Sequence, residues 1–168
     1  MSTEAPAAPT IDVSLVVPFV NSVRDSFKTM IGVTTTIDRP TFSTERSPKY
    51  EVSGIIGFSG QVVGCMVLSF KLETAVKLVS RFAGCPVDPE SSDFSDGVGE
   101  FTNWIAGAAK KHLGGVASIS CPGVIIGTGH SIARLSDVPC IVIPCRTEEG
   151  EFAIEVSIKK AANNCGAA

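Results

Sequence analysis

The sequence predicts an α+β fold: a six-stranded, mainly antiparallel sheet with about three helices packed on one face. Three observations predict it. Three stretches repeat apolar residues with the helical period. Two pairs of β-rich runs are each joined by a short turn, as in hairpins. Strands and helices do not alternate along the whole chain, so a doubly wound parallel sheet is not indicated. The second half repeats the pattern of the first, helix then strand then hairpin, which points to pseudo-twofold halves.

The elements follow in chain order. Residues 1–12, rich in Ala, Pro and Thr, read as a disordered lead-in to a single domain over 13–160, and 161–168 as a flexible tail. Val16, Val20, Val23, Phe27, Met30 and Ile31 form a stripe that predicts a helix over 15–31. Pro18 suits its first turn and Gly32 its end. "VTTTID" is a short strand, and a loop with Pro40 and Pro48 follows. "KYEVSGIIGFSGQVVGCMVLSF" predicts a hairpin turning at Phe58-Ser59-Gly60-Gln61. "KLETAVKLVSRFAG" predicts a second helix with Leu72, Ala75, Val76, Val79 and Phe82 or Ala83 toward the core. A third helix is predicted over 93–114, stopped by Gly114 and Gly115. A strand around Val124–Ile126 and a last hairpin turning at Glu148-Glu149-Gly150 complete the chain.

Composition excludes several classes of function. The net charge is −3 and no basic run exceeds two residues, so nucleic-acid binding has no electrostatic footprint. No apolar run reaches the roughly 20 residues that a membrane span needs. "MSTEAPAAPT" has neither the charged nor the apolar region of a signal peptide, and the reading is a cytoplasmic protein. The six Cys are scattered without a C-x-x-C, which argues against a disulfide framework and against zinc; most read as buried apolar residues.

The third helix carries the candidate chemistry. Asp96, Glu100, Asn103 and Gly107 are spaced by four, three and four residues. At ~100° per residue they share one stripe about 60° wide. Phe101, Trp104, Ile105 and Ala108 lie on another face, which reads as core. An exposed Glu and Asn on a helix are commonly no more than a solvated surface. Here, however, Asn is a mediocre helix former, and Gly107 costs about 1 kcal/mol against Ala in mid-helix. Gly97 and Gly99 add similar costs near the helix start. Small residues around an acid and an amide suggest that something approaches this helix closely.

Other motifs carry less. "GVIIGTGH" and "GVGE" fit neither the P-loop nor the dinucleotide fingerprint. His112, at a helix C-terminus, and His130 are lone. No G-x-S-x-G elbow occurs, and Asp93 suits a helix start electrostatically.

"DGVGEFTNWIAG" resembles the D/S-x-x-x-E-x-x-N signature of the CheC/CheX/FliY chemotaxis phosphatases, with Asp96, Glu100 and Asn103 in the signature positions and Gly107 following. "VPFVNSVRDSFKTMIG", "SGIIGFSGQVVGCMVLSF" and "CPGVIIGTGHSI" resemble the opening helix, the first hairpin and the Pro-Val-Gly-His segment of the CheX-like members. The resemblance spans roughly 15–159. CheX-like members carry one signature where CheC members carry two; here the first helix has Asn21, but Pro18 rather than Glu three residues before it.

The resemblance implies a phosphatase acting on the aspartyl-phosphate of a CheY-like response-regulator receiver domain. Asn103 would position the attacking water and Glu100 would pair with the receiver's active-site Lys. Asp96, Gly99 and Gly107 would meet the partner. The protein would hold no cofactor or metal of its own, with Mg²⁺ expected on the receiver. It also implies a homodimer joined through sheet edges, with an edge strand around 116–143. The alternative is a CheX-like dimeric module that binds a receiver without hydrolysing it.

Overall fold

A computed structural model describes residues 12–113, 117–135 and 137–162. The lead-in, apart from Asp12, and most of the tail lie outside these residues, as does Cys165. In chain order the elements are α1 (Val13–Ile31), β1 (Thr36–Ile37), β2 (Thr41–Ser43), β3 (Val52–Gly60), β4 (Val62–Phe70), α2 (Leu72–Ala83), α3 (Ser92–Lys110), β5 (Ala117–Ile119), β6 (Gly123–Ile126), β7 (Cys140–Thr147) and β8 (Gly150–Lys160).

All strand pairs are antiparallel, in the order β1-β7-β8-β4-β3-β5, with β2 also on β7 and β6 also on β3. Among the described residues the strand count is eight where the sequence predicted six. The two additions are β2, three residues inside the expected Pro loop, and β5, three residues before Cys121. Each is too short to show a period. The pseudo-twofold is present in the strand order. The edge strands of each half pair with the hairpin of the other half, and β4 meets β8 in the middle. The two halves therefore interlock.

α1 begins two residues earlier than predicted, because Asp12 caps it by accepting the Ser14 N–H at 3.0 Å. Pro18 is consequently inside the helix and not in its first turn. Gly32 ends it in the left-handed region at φ 67°, as its position suggested. The first hairpin pairs from Val52 opposite Phe70 to Phe58 opposite Gly64, so the chain reverses over 59–63, around the Ser59-Gly60-Gln61 expected.

The helices cover one face of the sheet. Phe19, Phe27, Phe70, Phe94, Phe101 and Phe152 are fully buried between the layers. Phe27 of α1 stacks at 5.3 Å on Phe101 of α3 and at 5.1 Å on Phe152 of β8, so one aromatic cluster joins both helices to the sheet. Two close approaches fix the seat of α3. A methyl at Gly54 of β3 would stand 1.9 Å from the Thr102 hydroxyl, and one at Gly97 would stand 2.6 Å from Val79 of α2. Thr102 is itself pinned, its hydroxyl donating to the Val98 carbonyl at 2.8 Å.

The other face of the sheet is also covered. β8 is buried from Phe152 through Ile158, and the residues pointing away from the helices include Glu155. Glu155 accepts the Lys49 N–H at 2.7 Å and pairs with Arg134, whose guanidinium also donates to the Glu45 carbonyl at 2.7 Å. Ser53 bonds His130 at 3.0 Å, and the Tyr50 N–H donates to Ser69 at 2.8 Å. Two connections, 44–51 and 127–135, are thus tied across the sheet by polar side chains that have left water.

Gly54→Ala is expected to destabilise the fold by about 1–3 kcal/mol through overpacking. Thr102→Ala in the same chain should recover part of that, since the clashing atom is the hydroxyl oxygen. Denaturant melts of the single and double variants decide it, and a Gly54→Ala protein as stable as the parent contradicts the close seat.

Burial, opposed by Lys49 and Arg134, raises the Glu155 carboxyl above the ordinary glutamate range. The native state then holds this proton more tightly than the unfolded chain, so stability falls as pH rises through that window. Arg134→Met removes an opposing charge and should cost about 3–5 kcal/mol at pH 7.5. The deficit should shrink as the pH is lowered toward the ordinary glutamate range. Melts across that range test this, and a deficit independent of pH contradicts it.

Candidate functional site

α3 starts at a Ser91 cap, whose hydroxyl accepts the Phe94 N–H at 3.3 Å, with Asp93 in the first turn. It ends at Lys110, before the predicted stop. The His112 N–H still reaches the Ala109 carbonyl at 2.9 Å, and Leu113 is buried. Gly114 and Gly115 lie outside the described residues.

Phe94, Val98, Phe101, Ile105, Ala106 and Ala109 are buried and define the inward face. Asp96, Glu100 and Asn103 are exposed on the opposite side, and Gly107 is half-buried. Among the described residues, no hydrogen bond or ion pair engages the side chains of Asp96, Glu100 or Asn103. The stripe read from the sequence is therefore an outward ridge, with an acid and an amide not used by the fold.

The three helix glycines separate into different roles. Gly97 is required by α2, because a methyl there would stand 2.6 Å from Val79 Cγ1. Gly99 is buried, and a methyl there would rest 3.7 Å from Pro122 and 3.9 Å from Val124, so it faces the β5–β6 segment and not a partner. In this fold Gly99 therefore lies away from the exposed ridge of Asp96, Glu100 and Asn103. Gly107 alone has room: the nearest atom to a methyl there is Ile119 Cδ1 at 4.0 Å. Among the described residues, packing gives no reason for glycine at 107.

Trp104 is a correction to the sequence reading. The sequence assigned it to the core, yet it is 48% exposed, while its neighbour Ile105 is fully buried. Trp104 lies between the stripe and the core face, at the margin facing α1. There it lines a groove of about 400 Å³ with Asp25, Ser26, Thr29, Asn103, Gly107, Ala108 and Lys111. The sequence held no signal for this groove, because it is made by the crossing of two helices distant in the chain. On α1 itself Asn21 is exposed, but Pro18 is buried and offers no acid beside it.

The remaining chemical groups do not converge on the stripe. His130 is held on the far face of the sheet by Ser53 and by the Gly127 carbonyl at 2.9 Å. Cys140 and Cys145 are buried, and burial pushes their thiols up to about 11 and about 12, which leaves no thiolate at neutral pH. Cys85 and Cys121 are exposed, against the expectation that most cysteines are core residues. Among the described residues no His, Cys, Asp and Glu cluster could hold a metal ion. No helix among them is long and apolar enough to cross a membrane.

Several solved proteins with this architecture are chemotaxis proteins. CheX from Desulfovibrio desulfuricans is 29% identical with a TM-score of 0.78, over 88% of this chain and 99% of that one. CheX of Borrelia burgdorferi, solved in a CheX–CheY–BeF3–Mg²⁺ complex, is 22% identical and shares the fold with a TM-score of 0.71, over 87% of this chain and 98% of that one. The CheY-P phosphatase CheX of Thermotoga maritima is 26% identical over 153 residues, 89% of this chain and 98% of that protein. The family model for the chemotaxis phosphatase CheX matches residues 52–146, and the chain belongs to that family.

Gly97→Ala and Gly107→Ala should move stability in opposite directions. The first forces Val79 aside and is expected to cost about 1–3 kcal/mol. The second meets open space and should gain about 0.5–1 kcal/mol from helix propensity. Thermal melts of the two variants make the comparison, and a loss of stability in Gly107→Ala contradicts the open site.

Proposed function

We propose that this protein hydrolyses the aspartyl-phosphate of a CheY-like response-regulator receiver domain. The observation that carries the reading is the outward ridge of α3. Glu100 and Asn103 stand exposed and unused by the fold, beside a Gly107 that packing does not require. Membership of the CheX family supports it, as does the similarity to a CheY-P phosphatase.

The chemistry asks little of the helper. An acyl phosphate is already reactive, and the receiver brings its own Mg²⁺ and Lys. What is missing is a water held in line with the bond that breaks. The Asn103 amide has both a donor and an acceptor, so it can orient such a water without removing its proton. Water attacks phosphorus, the bond from phosphorus to the aspartyl oxygen breaks, and inorganic phosphate and the free carboxylate result. Glu100 accepts from the receiver's Lys and fixes the angle at which Asn103 enters. Asp96 adds negative charge at the rim, and Gly107 lets the receiver backbone come close. A homodimer would pair through β5 and β6, which form one interrupted edge along β3. β7, inside the predicted 116–143 edge region, is covered by β1 and β2 and is not available.

Asn103→Ala is expected to slow phosphate release from a phosphorylated receiver by about 100-fold or more while changing its affinity little. Single-turnover release and equilibrium binding, measured on the same receiver, separate the two. A large loss of affinity with unchanged turnover contradicts the role of Asn103, and no acceleration despite binding favours a docking module.

A further inference from the structure

We propose that Trp104 is the apolar anchor on which the receiver docks, and that its groove against α1 sets the strength of docking. The proposal rests on the reading of Glu100 and Asn103 given above. Asn103 and Gly107 line the same groove as Trp104. A domain that presents a phosphoryl group to Asn103 therefore lies over that groove as well, and the groove continues the site without a break.

Trp104 has the properties of an anchor. It is the single Trp of the chain and is 48% exposed. Among the described residues no hydrogen bond uses its indole N–H, so both the ring and the donor are free for a partner. The core does not need it, because Phe101 and Ile105 on the same helix are fully buried without it. Asp25, Thr29 and Lys111 surround the ring with exposed polar groups. An aromatic centre inside a polar rim is the usual form of an interface hot spot. The receiver surface that fits it is an apolar patch beside the phosphoacceptor, with a carbonyl or carboxylate to accept from the indole.

Trp104 does not reach the reacting atoms, so its contacts are the same before and during hydrolysis. Such uniform binding lowers KM and leaves kcat unchanged. Because Trp104 is the only Trp of this chain, its emission reports docking directly when the receiver used has no Trp. The parent protein would be titrated with a CheY-type receiver carrying BeF3 and Mg²⁺, and turnover would be followed with the phosphorylated receiver. The expected results are a saturable change in emission and, in Trp104→Ala, a KM raised about 10- to 100-fold at constant kcat. Trp104→Phe should recover most of the affinity, which separates anchoring from misfolding.

A Trp104→Ala KM within about twofold of the parent overturns the anchor while hydrolysis by Asn103 stands. A change in emission without phosphate release overturns the phosphatase reading and upholds the anchor. With neither signal, both fall.

Discussion

The close seat of α3 on the sheet is the constraint on which the site depends. Gly54 lets Thr102 approach β3, and Gly97 lets Val79 of α2 approach α3. Side chains at these two positions would lift or rotate the helix. The ridge lies opposite this seat, so its direction is set by contacts on the buried side. Phe101 reinforces the orientation, since its ring meets Phe27, Phe70 and Phe82 on three different elements. The role proposed for the Asn103 amide, holding a water, needs this kind of backing, because small errors in position cost rate steeply.

The sheet beneath is held from both sides. Its helix face is apolar, whereas its far face is closed by Arg134, Glu155, Ser53, His130 and the two connections they bind. Such a buried ion pair is weak evidence of net stability, but it leaves one partner costly to remove. The interlocked halves add to this: neither hairpin has its own half's edge strands beside it, so both halves must assemble to complete the sheet.

Much of this was legible in the letters. The three helices, both hairpins and the acid–amide stripe follow from periodicity, and the stripe is exposed as its spacing required. What periodicity could not give were features made by pairs of distant segments. β2 and β5 are strands only because β7 and β3 lie beside them. Gly97, Gly99 and Gly107 look alike in sequence, and only their neighbours distinguish a helix contact, a strand contact and open space. Trp104 reads as core in the sequence because apolar residues usually belong there, yet α1 crosses α3 so as to leave it in a groove. Arg134 and Glu155 carry no signal in the sequence, where isolated charges normally mean solvent.

In the proposed reaction this protein directs a water onto phosphorus, and isotope transfer follows that oxygen. A phosphorylated receiver would be mixed with the protein in water enriched in oxygen-18, and both products analysed by mass spectrometry. The expected result is one labelled oxygen in the released phosphate, an unlabelled aspartate, and a rate of labelling that falls when Asn103 is replaced by Ala. Label in the aspartyl carboxylate, or labelling no faster than in the receiver alone, would contradict it.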